Sequence, residues 1–139
     1  MSTREEMVES LKATVVPVLR SLGFKGTFPH FYREQLGHID LACFQFSMSG
    51  GKFVVELSYA TPDRSNVYIN SDMAASKLRI SQTTNRWRLG DTGEHGDHWF
   101  IFGPARAGAA ITVEQLSSKV AALLESEGVA WWSSKRNAG

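Results

Sequence analysis

Apolar and polar positions alternate most regularly between His38 and Ala60, in HIDLACFQFSMSGGKFVVELSYA. Pairing Met48 with Phe53 across Ser49, Gly50, Gly51 and Lys52 sets Phe46 opposite Val55, Phe44 opposite Leu57 and Ala42 opposite Tyr59. The reverse face then carries Gln45 opposite Glu56 and Cys43 opposite Ser58. This predicts a β-hairpin with one core face and one polar face. Ile39 and Leu41 fall on the opposite parity from Phe44, Phe46 and Met48, which implies either a bulge near Ala42 or burial of both faces at that end.

Helical periodicity frames this hairpin. Met7, Leu11, Val15, Val18 and Leu22 form a stripe preceded by two capping boxes, Ser2 with Glu5 and Thr3 with Glu6. Pro17 removes one helical amide, so a kink or restart is expected near Thr14, and Gly23 supplies the stop. A second stripe, Val113, Leu116, Val120, Leu123 and Leu124, follows a capping box of Thr112 and Gln115 with an Ile111–Leu116 staple. Gly128 is expected to end that helix, with Val129 closing on Leu124 and Trp131 and Trp132 packing back on the body. Between the helices, TFPHFYRE (27–34) predicts a first strand with Pro29 at an edge, turned back at Gln35, Leu36 and Gly37. SNVYIN, RWRL and HWFIF suggest further short strands, DMAASKLRI is ambiguous, and GDTGEHGD is a glycine-rich loop.

Together these elements predict an α+β fold: an antiparallel sheet of about five strands with the N- and C-terminal helices packed on one face. Residues 1–132 form the single domain and 133–139 a frayed polar tail. A length of 139 residues with 42% hydrophobic and 21% charged residues suits one folded core and excludes a disordered chain. Fifteen basic and fourteen acidic residues leave a formal charge of +1, so there is no strong nucleic-acid signal and no long-range pull toward an anionic membrane. The lone Cys43 forms no internal disulfide and excludes a cysteine-based zinc site, which favours a reducing compartment. No apolar run approaches the roughly 20 residues of a membrane span, and the charged N-terminus lacks a signal-peptide pattern, so a cytoplasmic location is expected.

Leu19 with Gly23-Phe24-Lys25, Phe44-Gln45-Phe46-Ser47, Arg88-Leu89-Gly90, Asp97-His98-Trp99-Phe100, and a last helix running into Gly128 and Trp131-Trp132 occur in an order that resembles an uncharacterised bacterial family, one of the conserved domains of unknown function. The resemblance spans nearly the whole chain and implies a domain built as one unit. It carries over no activity and no site residue.

Candidate chemistry is sparse. Asp91, Glu94, His95, Asp97 and His98 are possible metal ligands, but Gly96 breaks the segment and nothing enforces convergence, so no metal and no cofactor are expected. Lys77, Arg79, Arg86 and Arg88 around Trp87 mix cations with an aromatic, yet strand parity sends Trp87 to the core and leaves a solvent-facing basic edge. Cys43 has no base beside it to lower its pKa, while Glu56 facing Gln45 makes a cross-strand pair. SGGK and GDTGEHGD have neither P-loop nor dinucleotide spacing. With no matched catalytic set, the leading expectation is a non-catalytic binding or regulatory module for a protein partner, immunity- or adaptor-like. Its binding residues are Gln45, Glu56, Arg79, Arg88 and Trp99. The alternatives are a metal-dependent hydrolase using the 91–98 loop and a weak nucleic-acid binder using Arg79, Arg86 and Arg88.

Overall fold

The computed structural model describes residues 4–68, 72–90, 98–102 and 112–138. The chain runs α1 (Arg4–Ser21), β1 (Lys25–Thr27), β2 (His30–Gln35), β3 (His38–Phe46), β4 (Lys52–Ala60), short 3-10 turns at Ala75–Lys77 and Ile80–Gln82, β5 (Trp87–Arg88), β6 (Phe100–Ile101), α2 (Val113–Leu123), a π-helical turn (Leu124–Gly128) and α3 (Val129–Ala138). Strand order is β1-β2-β3-β4-β5, with β6 pairing β4 beside β5's segment, and every named pair is antiparallel. The fold is α+β with α1 and α2 in contact on one side of a six-stranded sheet.

α1 is one continuous helix through Pro17, with no restart at Thr14. Its buried stripe is Met7, Leu11, Val15 and Leu19, and Val18 and Leu22 pack at the margin. Gly23, at φ +96°, ends it in a Schellman close: the Phe24 amide donates to Leu19 O at 2.9 Å and the Gly23 amide to Arg20 O at 3.0 Å. The boxes at Ser2 and Thr3 and the Ile111 staple lie outside the described residues. Between the helices, Ser117 Oγ donates to Ser10 Oγ at 2.8 Å and Ser10 Oγ to Val113 O at 3.2 Å, so two small polar residues are buried with partners.

The central hairpin forms with a register two residues from that expected: Phe46 pairs Phe53, Phe44 pairs Val55 and Ala42 pairs Leu57. A shift of two preserves every residue's face, so Phe44, Phe46, Val55 and Leu57 still look to the helices. The loop is Ser47 to Gly51, closed by the Ser47 amide donating to Lys52 O at 3.0 Å, and Met48 stands fully exposed at its tip. Glu56 accordingly faces Cys43, Gln45 faces Val54, and Ser58 faces Leu41. The expected strand 27–34 is split in two: Phe28 and Pro29, joined by a cis peptide, form the turn between β1 and β2.

The parity conflict at Ile39 and Leu41 is resolved by two-sided burial without a bulge, since pairing is unbroken from Ile39 to Phe46. Ile39, Leu41 and Ala60 form a second core with Leu78 and Ile80 of the covering segment, on the face away from the helices. Ser58 Oγ in this layer is hydrogen-bonded to Thr83 Oγ1 and donates to Asn85 O at 3.1 Å.

Gly128 does not end the C-terminal helix. A Cβ there would lie 3.3 Å from Trp132, 3.4 Å from Leu124 and 3.7 Å from Leu57, so the glycine lets the helix approach the sheet closely. The helix continues to Ala138, and residues 133–138 form its last turns where a frayed tail was expected. Trp132 is fully buried and its Nε1 donates to Leu41 O at 3.3 Å and Ser58 O at 3.2 Å. Arg136 reaches Asp40 of β3, whose carboxylate also takes Arg33 Nε and Nη2 at 2.9 and 2.7 Å.

Candidate functional site

The covering segment packs on the Ile39, Leu41 and Ala60 end of the second sheet face, and at its edge, toward the β3–β4 loop, the sheet and the cover border a pocket of about 580 Å³. Pro29 and Ile80 border it, together with Phe44 and Phe46 at the edge of β3, whose rings belong to the helix-side core, and Gln45, Glu56, Arg79 and Arg86 supply its polar groups. Strand parity explains part of this: His30, Cys43 and Glu56 are cross-strand neighbours on one face of β2, β3 and β4.

Glu56 is 8% exposed, and its carboxylate is balanced by two arginines. Arg86 Nη1 lies 3.6 Å from one oxygen and Arg88 Nε 3.6 Å from the other, Arg88 being the residue paired with Glu56 in the ladder. The Arg88 guanidinium also lies 5.6 Å from the Trp99 ring centre, with Lys52 on that ring at 4.5 Å. Arg79 Nη1 donates to Ser76 O and Leu78 O, each at 3.2 Å, and its backbone amide donates to Gln82 Oε1 at 2.9 Å. Burial pushes the Cys43 thiol up to about 11, with Glu56 adding and Arg79 opposing, so the thiol stays protonated and unreactive near neutral pH. Burial, and then the Arg79 charge, lowers the pKa of His30 and keeps that imidazole neutral at pH 7.

Of the residues singled out from the sequence, Gln45, Glu56 and Arg79 line one pocket. Arg88 and Trp99 stand beside it and reach it through Glu56. Trp87 turns to the helix side and stacks on Trp131 at 5.8 Å between ring centres, as its parity requires. Arg4, at the start of α1, joins the lining with its guanidinium 5.1 Å from the Phe46 ring centre. No sequence pattern links position 4 to the hairpin. Ser81 was likewise unreadable, whereas His30 follows from the β2–β3 register once the turn at Phe28 and Pro29 is known.

Asp91, Glu94, His95 and Asp97 lie outside the described residues. His98 packs edge-on against Phe100, with 4.8 Å between ring centres, and sits over Gly90. Among the described residues no group of three or more His, Cys, Asp or Glu side chains is placed to hold a metal ion. Nor, among them, is any helix long and apolar enough to cross a membrane. A second hollow of about 650 Å³ lies beside Leu36, His38, Pro62 and Arg136, but its charges are engaged: Arg136 with Gln35 and Asp40, Asp63 with Thr61 and Ser65.

No curated protein and no solved structure matches the chain. Residues 15–134, which include every described strand, the covering segment, the last part of α1 and most of the C-terminal helical region, match the domain of unknown function DUF4304, and the chain belongs to that family.

Proposed function

We propose that the chain is a cytoplasmic binding module, without turnover of its own, that recognises a protein partner at the pocket over β3 and β4 in the manner of a small immunity or adaptor protein. The observation that carries this reading is the pocket itself: Gln45, Glu56 and Arg79 meet around an apolar lining, in a volume within the range of ligand sites. Its chemistry favours recognition over reaction. The thiol is held protonated and Glu56 is engaged by two guanidinium groups, so neither a nucleophile nor a free carboxylate base stands ready. The unpaired Cys43 suits a reducing compartment.

The test fills the pocket without disturbing the core. Gln45 is an exposed strand position, where an aromatic residue is well tolerated, so Gln45→Trp should leave the melting temperature nearly unchanged. Immobilised wild-type chain should capture a specific cytoplasmic protein that Gln45→Trp loses and that Met48→Ser, at the exposed loop tip outside the pocket lining, retains. Identical capture by all three chains would overturn the site.

A further inference from the structure

The charges lining the pocket are unequal. Arg4, Arg79 and Arg86 bring three permanent cations against the single carboxylate of Glu56. His30 adds none at neutral pH, because burial and the neighbouring Arg79 oppose its protonation. Glu56 is itself occupied by Arg86 and Arg88, and Arg4 lies against the Phe46 ring. Arg79, like Arg4, pairs with no carboxylate among the described residues, and unlike Arg4 it is held by hydrogen bonds. Its Nη1 is held by two carbonyl oxygens of its own segment and its backbone is tied to Gln82, so the guanidinium is fixed in place before any ligand arrives. A fixed fork of donors loses little entropy on binding and matches the two oxygens of a carboxylate.

Resting on the binding role proposed above, we propose that this pocket is a receptor for an acidic side chain, Asp or Glu, presented on a peptide segment of the partner, with Arg79 taking up the carboxylate. The pocket is several times larger than one carboxylate needs, and Pro29 and Phe46, the half-buried apolar residues of its lining, offer apolar surface to the residues flanking the acid. Because Arg86 and Arg88 already answer the charge of Glu56, the fixed Arg79 supplies one cation for the guest, which a singly charged carboxylate matches and a phosphate of nearly two charges exceeds.

The experiment is an NMR titration of the full chain with three acetylated, amidated tripeptides: Ala-Glu-Leu, Ala-Gln-Leu and Ala-phosphoserine-Leu. The Glu peptide should shift the amides of His30, Gln45 and residues 79–82 and bind about tenfold more tightly than the Gln peptide, the discrimination of one charge-assisted contact. Arg79→Gln should bring the two to parity, and Arg79→Lys should keep part of the preference. The amide spectrum of each variant reports whether it has folded. Equal binding of Glu and Gln peptides at these amides would overturn the carboxylate assignment while leaving the binding role standing. A phosphoserine peptide that binds more tightly than the Glu peptide would replace the assignment with a phosphate reader. Shifts confined to other surfaces, or none with any peptide, would remove both this inference and the site it rests on.

Discussion

Replacing Asp40 with Asn tests how the end of the C-terminal helix is fastened to the sheet. Asp40 is 1% exposed and accepts two bonds from Arg33, at 2.9 and 2.7 Å, and one from Arg136 at 3.3 Å. Arg33 is committed elsewhere as well: its Nη1 donates to Leu22 O at 2.7 Å, and its plane lies 4.7 Å from the Phe24 ring centre and 5.7 Å from that of Trp132. Its side chain is 12% exposed, so water replaces little of what the carboxylate supplies. Two charge-assisted bonds contribute about 1.5–3 kcal/mol each. The amide retains one ordinary acceptor contact of about 1 kcal/mol. Its NH₂ recovers about as much again by turning to His38 Nδ1, which has no hydrogen bond and lies 3.5 Å from Asp40 Oδ1. The expected loss is therefore about 2 kcal/mol, a fall in melting temperature of about 6–8 °C for a chain of this size. Urea unfolding followed by tryptophan fluorescence should show a lower midpoint with an unchanged slope. In a double-mutant cycle with Arg33→Met, the coupling should exceed about 1 kcal/mol. A loss below about 0.5 kcal/mol, or additivity with Arg33→Met, would refute the fastening role.

Three further outcomes are expected. Burial, opposed by Asp40 and reinforced by Arg136, lowers the pKa of His38 from its usual 6.5, so the unfolded chain takes the proton first. Stability should be complete above pH 6.5 and fall as pH drops through 6.5 toward the folded value. His38→Gln should reduce the slope of a urea-unfolding profile taken from pH 7.5 to 5.5, leaving the part due to His30, whose pKa is lowered too, and a wild-type chain that gained stability on acidification would contradict the assignment. Leu36 is fully exposed at φ +52°, a conformation Asn adopts at lower cost, so Leu36→Asn should raise stability by about 0.5–1 kcal/mol in thermal unfolding. Gly128→Val puts a branched side chain against Trp132 and Leu57 and should cost about 2–3 kcal/mol, whereas a neutral effect would show that α3 can withdraw from the sheet.

Much of the candidate site was legible as a face and little of it as a place. Alternation along β3 and β4 put Gln45 and Glu56 on the side away from the helices, and parity separated Trp87 from Arg86 and Arg88. Nothing local placed Arg79 over that face. Its segment carries no strand or helix period, and it lies where it does because Leu78 and Ile80 pack on Ile39, Leu41 and Ala60. Arg4 enters for a similar reason, since α1 is set by a stripe three residues and more beyond it.

What depends on neighbours along the chain was legible in the sequence: the helical stripes of α1 and α2, the stop at Gly23, the capping box at Thr112 and the division of the hairpin into two faces. These rest on contacts a few residues apart, which fix the local backbone. Tertiary structure decided what periodicity leaves degenerate. A hairpin slipped by two residues presents the same faces, so only turn geometry and packing choose Phe46 opposite Phe53. Gly128 reads as a helix stop until Trp132 and Leu57 lie against it, when the missing Cβ becomes room for the sheet. The seating of Leu78 and Ile80 over one end of the second face, which sets the pocket at their edge, is likewise a decision of long-range packing.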